Sequence, residues 1–136
     1  MRIPRSLIAA GLVLGALFLP AAGRSLDARP VGTIGMSHEG YVVTGVPGGE
    51  KGPDGVPVIT IHRGERLTFQ NDSRWIHIIG PGDRGLLDHP GHGAMAALKM
   101  LEQNGVYTTP PWNEPGTFLI TCTVHPEMNA TVVVLT

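Results

Sequence analysis

Glycine and proline interrupt this chain so often that regular structure can form only in short runs. The 19 Gly and 12 Pro are spread along the sequence, and the runs of Val, Ile, Thr and aromatic residues between them are strand-sized. That punctuation excludes a helical bundle and points to an all-β fold joined by many turns. One stretch differs. Ala94, Ala97, Leu98 and Leu101 fall at the i, i+3, i+4, i+7 spacing of a helical face, which predicts a helix from about Gly93 to Asn104 with Gly105 as its stop. At 136 residues the chain is long enough for one core and too short for two.

Strands are expected at Val31–Met36, Tyr41–Val46, Val56–Ile61, Arg66–Gln70, Trp75–Ile79, Thr117–Cys122 and Thr131–Leu135. A long turn spans Pro47–Gly55, and His62-Arg63-Gly64-Glu65 reads as a hairpin turn between its neighbours. In the segment Trp75–Ile79, Trp75, His77 and Ile79 share one face while Ile76 and Ile78 share the other, so this strand should be buried on both sides. The Pro110–Gly116 loop feeds the penultimate strand. The pattern suits a Greek-key β-sandwich or barrel of about seven or eight strands, with the short helix inserted before the last two.

Arg2 and Arg5, the apolar run Leu7–Leu19 and the small residues Ala21, Ala22 and Gly23 form the charged, hydrophobic and exit regions of a secretory signal. Cleavage is expected after Gly23, with Ala21 and Ser25 as alternatives, leaving residues 24–136 as one domain. An uncleaved anchor is the competing reading. Either way the domain lies outside the cytoplasm, in the periplasm or the extracellular space. Losing Arg2 and Arg5 leaves 8 basic against 11 acidic residues, a formal charge of −3. No block of Lys and Arg remains that would suit nucleic acid or an anionic membrane surface.

The exported domain holds one cysteine, Cys122, so no internal disulfide can form. Such a thiol escapes oxidation if it is an inert core residue or if it is bound to something. The surrounding Cys122-Thr123-Val124-His125-Pro126-Glu127-Met128 puts a thiolate, an imidazole and a thioether in one loop between two strands. His77, from a neighbouring strand, supplies a second imidazole. Two imidazoles and a thiolate in a plane, with a weak axial thioether, select copper and suit both of its common oxidation states. The competing assignment makes Cys122 and Met128 core residues and His77 a hydrogen-bonded core histidine. Zinc fits less well, because a thioether is a poor zinc ligand.

On these residues the chain resembles the cupredoxins, the small blue copper proteins, and most closely the branch of amicyanin, plastocyanin and pseudoazurin. The resemblance covers about residues 56 to 135. It rests on Gly116-Thr117-Phe118 leading into Cys122, the Cys-x2-His-x2-Met loop with Pro126, the Val-rich last strand, and Asn71-Asp72 ahead of His77. It implies one copper held by His77, Cys122, His125 and Met128, and one-electron transfer with the edge of His125 exposed as the port. Three positions depart from the family pattern. Ile78 stands where an Asn often ties the ligand segments together, with no replacement evident in the sequence, and Val124 and Ala130 stand where Pro and Gly are usual. These departures bear on colour, rigidity and potential.

The resulting expectation is an exported monomer that transfers electrons between redox partner proteins and is not an enzyme. No phosphate loop or nucleophile motif is present, and the chain is too short for the further copper domains of copper oxidases. The alternative is a copper carrier or tolerance protein using the same ligands. His89, His92, Met95 and Met100 form a candidate second copper site, and Met36-Ser37-His38 is a similar fragment, although solvated histidines and packing methionines explain both. His62 reads as surface. Trp75 and Trp112 are expected to fill the core or cover the site, with a contact role for Trp112 as the other option.

Overall fold

The structure is a computed structural model that describes residues 30–38, 40–46, 48–88, 93–95 and 97–136. The expected signal, residues 1–23, and the histidines His89 and His92 lie outside the described residues. The strands are β1 (Gly32–Met36), β2 (Tyr41–Thr44), β3 (Gly48–Lys51), β4 (Pro57–His62), β5 (Leu67–Asn71) and β6 (His77–Asp83). They continue with β7 (Leu86–Leu87), β8 (Lys99–Leu101), β9 (Val106–Thr108), β10 (Gly116–Cys122) and β11 (Asn129–Leu135). One sheet runs β2-β1-β5-β9. The other runs β3-β4-β11-β10-β6-β7, with β8 also paired to β6.

Burial alternates along the strands, as a two-layer core requires. Ile34 and Met36 of β1 and Leu67 and Phe69 of β5 form one core cluster with Ile59 and Ile61 of β4, Val132 and Val134 of β11, and Ile120 and Cys122 of β10. Two parallel pairings, β1 with β5 and β4 with β11, join strands distant in sequence and give the sandwich its Greek-key crossovers. Trp112 is buried and its indole N–H donates to Thr109 Oγ1 at 3.1 Å, so it fills the core and makes no outward contact.

Four local expectations change. The helix over 93–104 is replaced by a single 3₁₀ turn at Gly93–Met95 and by β8, whose Leu101 pairs with His77 and whose Met100 pairs with Ile78. The free edge of β6 takes a strand there, and pairing of its backbone groups overrides a weak helical pattern. The turn at His62–Glu65 is not a hairpin. It carries the chain from one sheet to the other, because β4 and β5 bury their apolar faces from opposite sides of the core. Part of the expected long turn forms β3. Finally, Trp75 and Ile76 precede β6 and stand exposed, so this segment is not buried on both faces. Among the described residues, no helix is long and apolar enough to cross a membrane.

Candidate metal centre

The antiparallel register of β10 on β6 sets Cys122 opposite Ile79. The ladder runs on past the strand end, where the Thr123 N–H donates to the Ile78 carbonyl at 2.8 Å and the Thr123 hydroxyl to the same oxygen at 3.4 Å. That contact brings the end of β10 beside the start of β6, so the Cys122 sulfur lies 3.7 Å from His77 Nδ1. It also ties together the two donor-bearing segments. The acceptor in this tie is the backbone carbonyl of Ile78, not a side chain.

The loop from β10 to β11 then folds back on itself. Met128 N–H donates to the His125 carbonyl at 2.9 Å, closing a turn in which Pro126 fixes the second position, and Cys122 N–H donates to the Met128 carbonyl at 3.1 Å. The turn points His125 inward, with Nδ1 3.6 Å from the Cys122 sulfur. His77, Cys122 and Met128 are buried and His125 is half-buried. One donor atom from each of His77, Cys122 and His125 lies within 4.8 Å of the others.

These separations fit a shared ion. Bonds of about 2.3 Å to sulfur and about 2.0 Å to nitrogen, at tetrahedral to trigonal angles, place the two donors roughly 3.5 to 3.7 Å apart. The chemistry of the set narrows the ion further, because buried thiolate, imidazole and thioether donors favour copper over the harder divalent cations. His77, Cys122, His125 and Met128 are therefore placed to bind one copper.

A layer of polar residues holds the donors. His77 Nε2 lies 2.8 Å from Ser73 Oγ, and Ser73 Oγ donates to Asn71 Oδ1 at 2.8 Å. With its own proton so used, the Ser73 oxygen accepts from Nε2–H, which leaves the His77 Nδ1 lone pair facing the sulfur. The buried Asn71 is fixed in turn by donating to the carbonyls of Trp75 at 2.7 Å and Leu101 at 2.9 Å. On the other flank, Asn129 donates to the Pro126 carbonyl at 2.8 Å and accepts from the Arg84 N–H at 2.8 Å, bracing the loop against the β6–β7 turn. Arg84 and Gly85 both have positive φ in this two-residue turn, and a Cβ at Gly85 would press on Pro126 at 3.1 Å.

Sequence reasoning missed Ser73, Asn129 and the pairing role of Thr123. Only the Asn71-Asp72-Ser73 cluster carried a usable signal, since such residues favour side-chain turns. The structure also places His38 beside the centre, its ring edge-on to His125 with centroids 5.9 Å apart. Neither Met36, buried in the core, nor Met95, also buried, is available to a separate exposed site, while Met100 points outward. His62 is at the surface, as expected.

The two-sheet Greek-key sandwich, with its donors gathered at the start of β6, the end of β10 and in the β10–β11 loop, is the cupredoxin fold with a His-Cys-His-Met group. Among solved structures it is similar to amicyanin. One is the reduced Cu(I) form at pH 4 of a proline-to-glycine variant, with 20% identity, TM-score 0.53, and coverage of 79% of this chain and 84% of that one. Another is the Cu(I) form of a methionine-to-alanine variant, with 19% identity, TM-score 0.51, and coverage of 75% and 79%. At this identity the likeness is one of fold. No family model matches the sequence, and no curated protein matches it.

Two outcomes follow from the support of His77. Replacing Ser73 with Ala removes the acceptor for Nε2–H and should weaken copper binding by about 10- to 100-fold, measured by competition with a chelator. An unchanged affinity would show that Ser73 does not orient the ring. Burial, and after it the neighbouring His125 and His38, hold the His77 imidazole below its ordinary value of 6.5. As pH falls below that value the unfolded chain takes up this proton before the folded one, so the metal-free protein should lose stability until the lower folded value is passed. Urea unfolding between about pH 7 and about pH 5 should show a shallower loss in His77→Gln than in wild type. Equal slopes would contradict the assignment.

Proposed function

We propose that this chain is an exported, monomeric copper protein that carries single electrons between redox partner proteins, with His77, Cys122, His125 and Met128 as its copper ligands. The observation that carries this reading is the set of three donor atoms within 4.8 Å, held by backbone bonds of the sandwich itself. Copper bound there supplies a one-electron Cu(I)/Cu(II) couple. The protein's part is to keep its donors still. The Cys122-to-Met128 bond, the Thr123-to-Ile78 bond and the Ser73 contact each restrain a ligand, so little rearrangement accompanies gain or loss of an electron.

Burial of Cys122 serves the same end, since it shields the thiolate from oxidants that an exported protein meets. The N-terminal Arg2, Arg5 and Leu7–Leu19 pattern supports export, with residues 24–136 as the working domain. The partner contacts lie around His125, where Val124 is 48% exposed and Pro126 is also exposed. Nothing in this role requires bond-making chemistry, and the protein is proposed as a carrier and not an enzyme.

Copper titration of residues 24–136, followed by ascorbate reduction and reoxidation, tests the reading. One copper per chain should give an intense thiolate-to-copper band that bleaches and returns, and Cys122→Ser should abolish the band while the fold persists. Rapid loss of Cu(I) to an acceptor would favour a copper carrier instead. A band retained in Cys122→Ser would overturn the ligand assignment.

A further inference from the structure

The rings around His125 form a continuous series. His77 and His125 have centroids 4.7 Å apart, His125 and His38 are 5.9 Å apart edge to face, and His38 and Trp75 are 5.3 Å apart at 31°. His125 is half-buried, and its neighbour His38 is exposed. The far end of the series, Trp75, is 43% exposed.

Trp75 is held in place despite that exposure. Its backbone N–H donates to Ser73 Oγ at 3.2 Å, its carbonyl accepts from Asn71 Nδ2 at 2.7 Å, and the Arg74 guanidinium lies 5.2 Å from the indole centroid. A large aromatic side chain leaves so much surface in water at a cost, and one with a fixed backbone and an arginine over it has the composition of a contact hot spot. The same Ser73 and Asn71 side chains that orient His77 also fix the backbone of Trp75, so the buried centre and the backbone that carries the exposed indole share one support. Electronic coupling falls steeply with through-space distance and is carried better by adjacent π-systems than by saturated side chains.

We propose that His38 and Trp75 extend the electron port, so that the redox partner meets the Trp75 indole and the electron passes between it and His125 by way of His38. This rests on the electron-carrier reading. The partner is a second copy of this chain: an electron leaves Cu(I) in one molecule and arrives at Cu(II) in the other, with no net chemistry. His38 and Trp75 act as conducting and contacting groups and are not oxidised themselves.

Electron self-exchange in mixtures of Cu(I) and Cu(II) protein, followed by line broadening in proton NMR, tests the route. Trp75→Leu should slow exchange several-fold while the absorption band and reduction potential stay at wild-type values, and Trp75→Phe should recover most of the rate. His38→Leu, which leaves the indole and its backbone bonds in place, should slow exchange as well. Wild-type exchange in both leucine variants would overturn the proposal and return the port to His125 alone. Failure of the wild-type protein to cycle would instead overturn the electron-carrier reading.

Discussion

The centre depends on the pairing of β10 with β6. Its register sets Cys122 opposite Ile79, and the added bond from Thr123 to Ile78 carries the ladder one step beyond the strand. A slip of one residue would turn Cys122 away from the core and carry its sulfur off His77. That register is fixed by the whole inner layer, because Ile120 and Cys122 on β10 and Ile79 on β6 are all buried against the opposite sheet. The energy that holds the donors is thus the ordinary energy of burying a β-sandwich core. The site itself contains polar and titratable groups that are costly to bury and depend on that core to stay in place.

A second constraint is the length of the β10–β11 loop. Two backbone bonds close it, Pro126 stiffens its turn, and Asn129 braces it from the side, where Gly85 leaves room for Pro126. So short a connection leaves His125 and Met128 few alternatives to facing Cys122. Within this loop Val124 is exposed, and Ala130 just beyond it is buried in the core.

The β-sandwich was legible in the sequence because alternating Val, Ile and Leu runs between Gly and Pro report a half-buried sheet directly. The errors arose where local pattern and tertiary pairing disagree. Ala94, Ala97, Leu98 and Leu101 have helical spacing, but the edge of β6 recruits Lys99–Leu101 as a strand. The His62–Glu65 turn looks like a hairpin because a turn signal does not state which sheet each flanking strand joins. Likewise, the soft donors in and near the Cys122 loop announce themselves by residue type, whereas Ser73, Asn129 and His38 matter only through segments that folding brings together. Trp75 is the clearest case: its alternation with His77 and Ile79 suggested burial, yet it lies before the strand begins and turns outward.

The most direct test of a centre built by the fold is a crystal structure of residues 24–136 loaded with copper, in both oxidation states, with the metal located by its anomalous scattering. The result expected is copper between Cys122 Sγ and the Nδ1 atoms of His77 and His125, beside Met128, with the Ser73 and Thr123 contacts intact in both states. Copper found away from Cys122, or a His77 ring swung off Ser73 to reach it, would contradict a site held ready by the β6–β10 pairing.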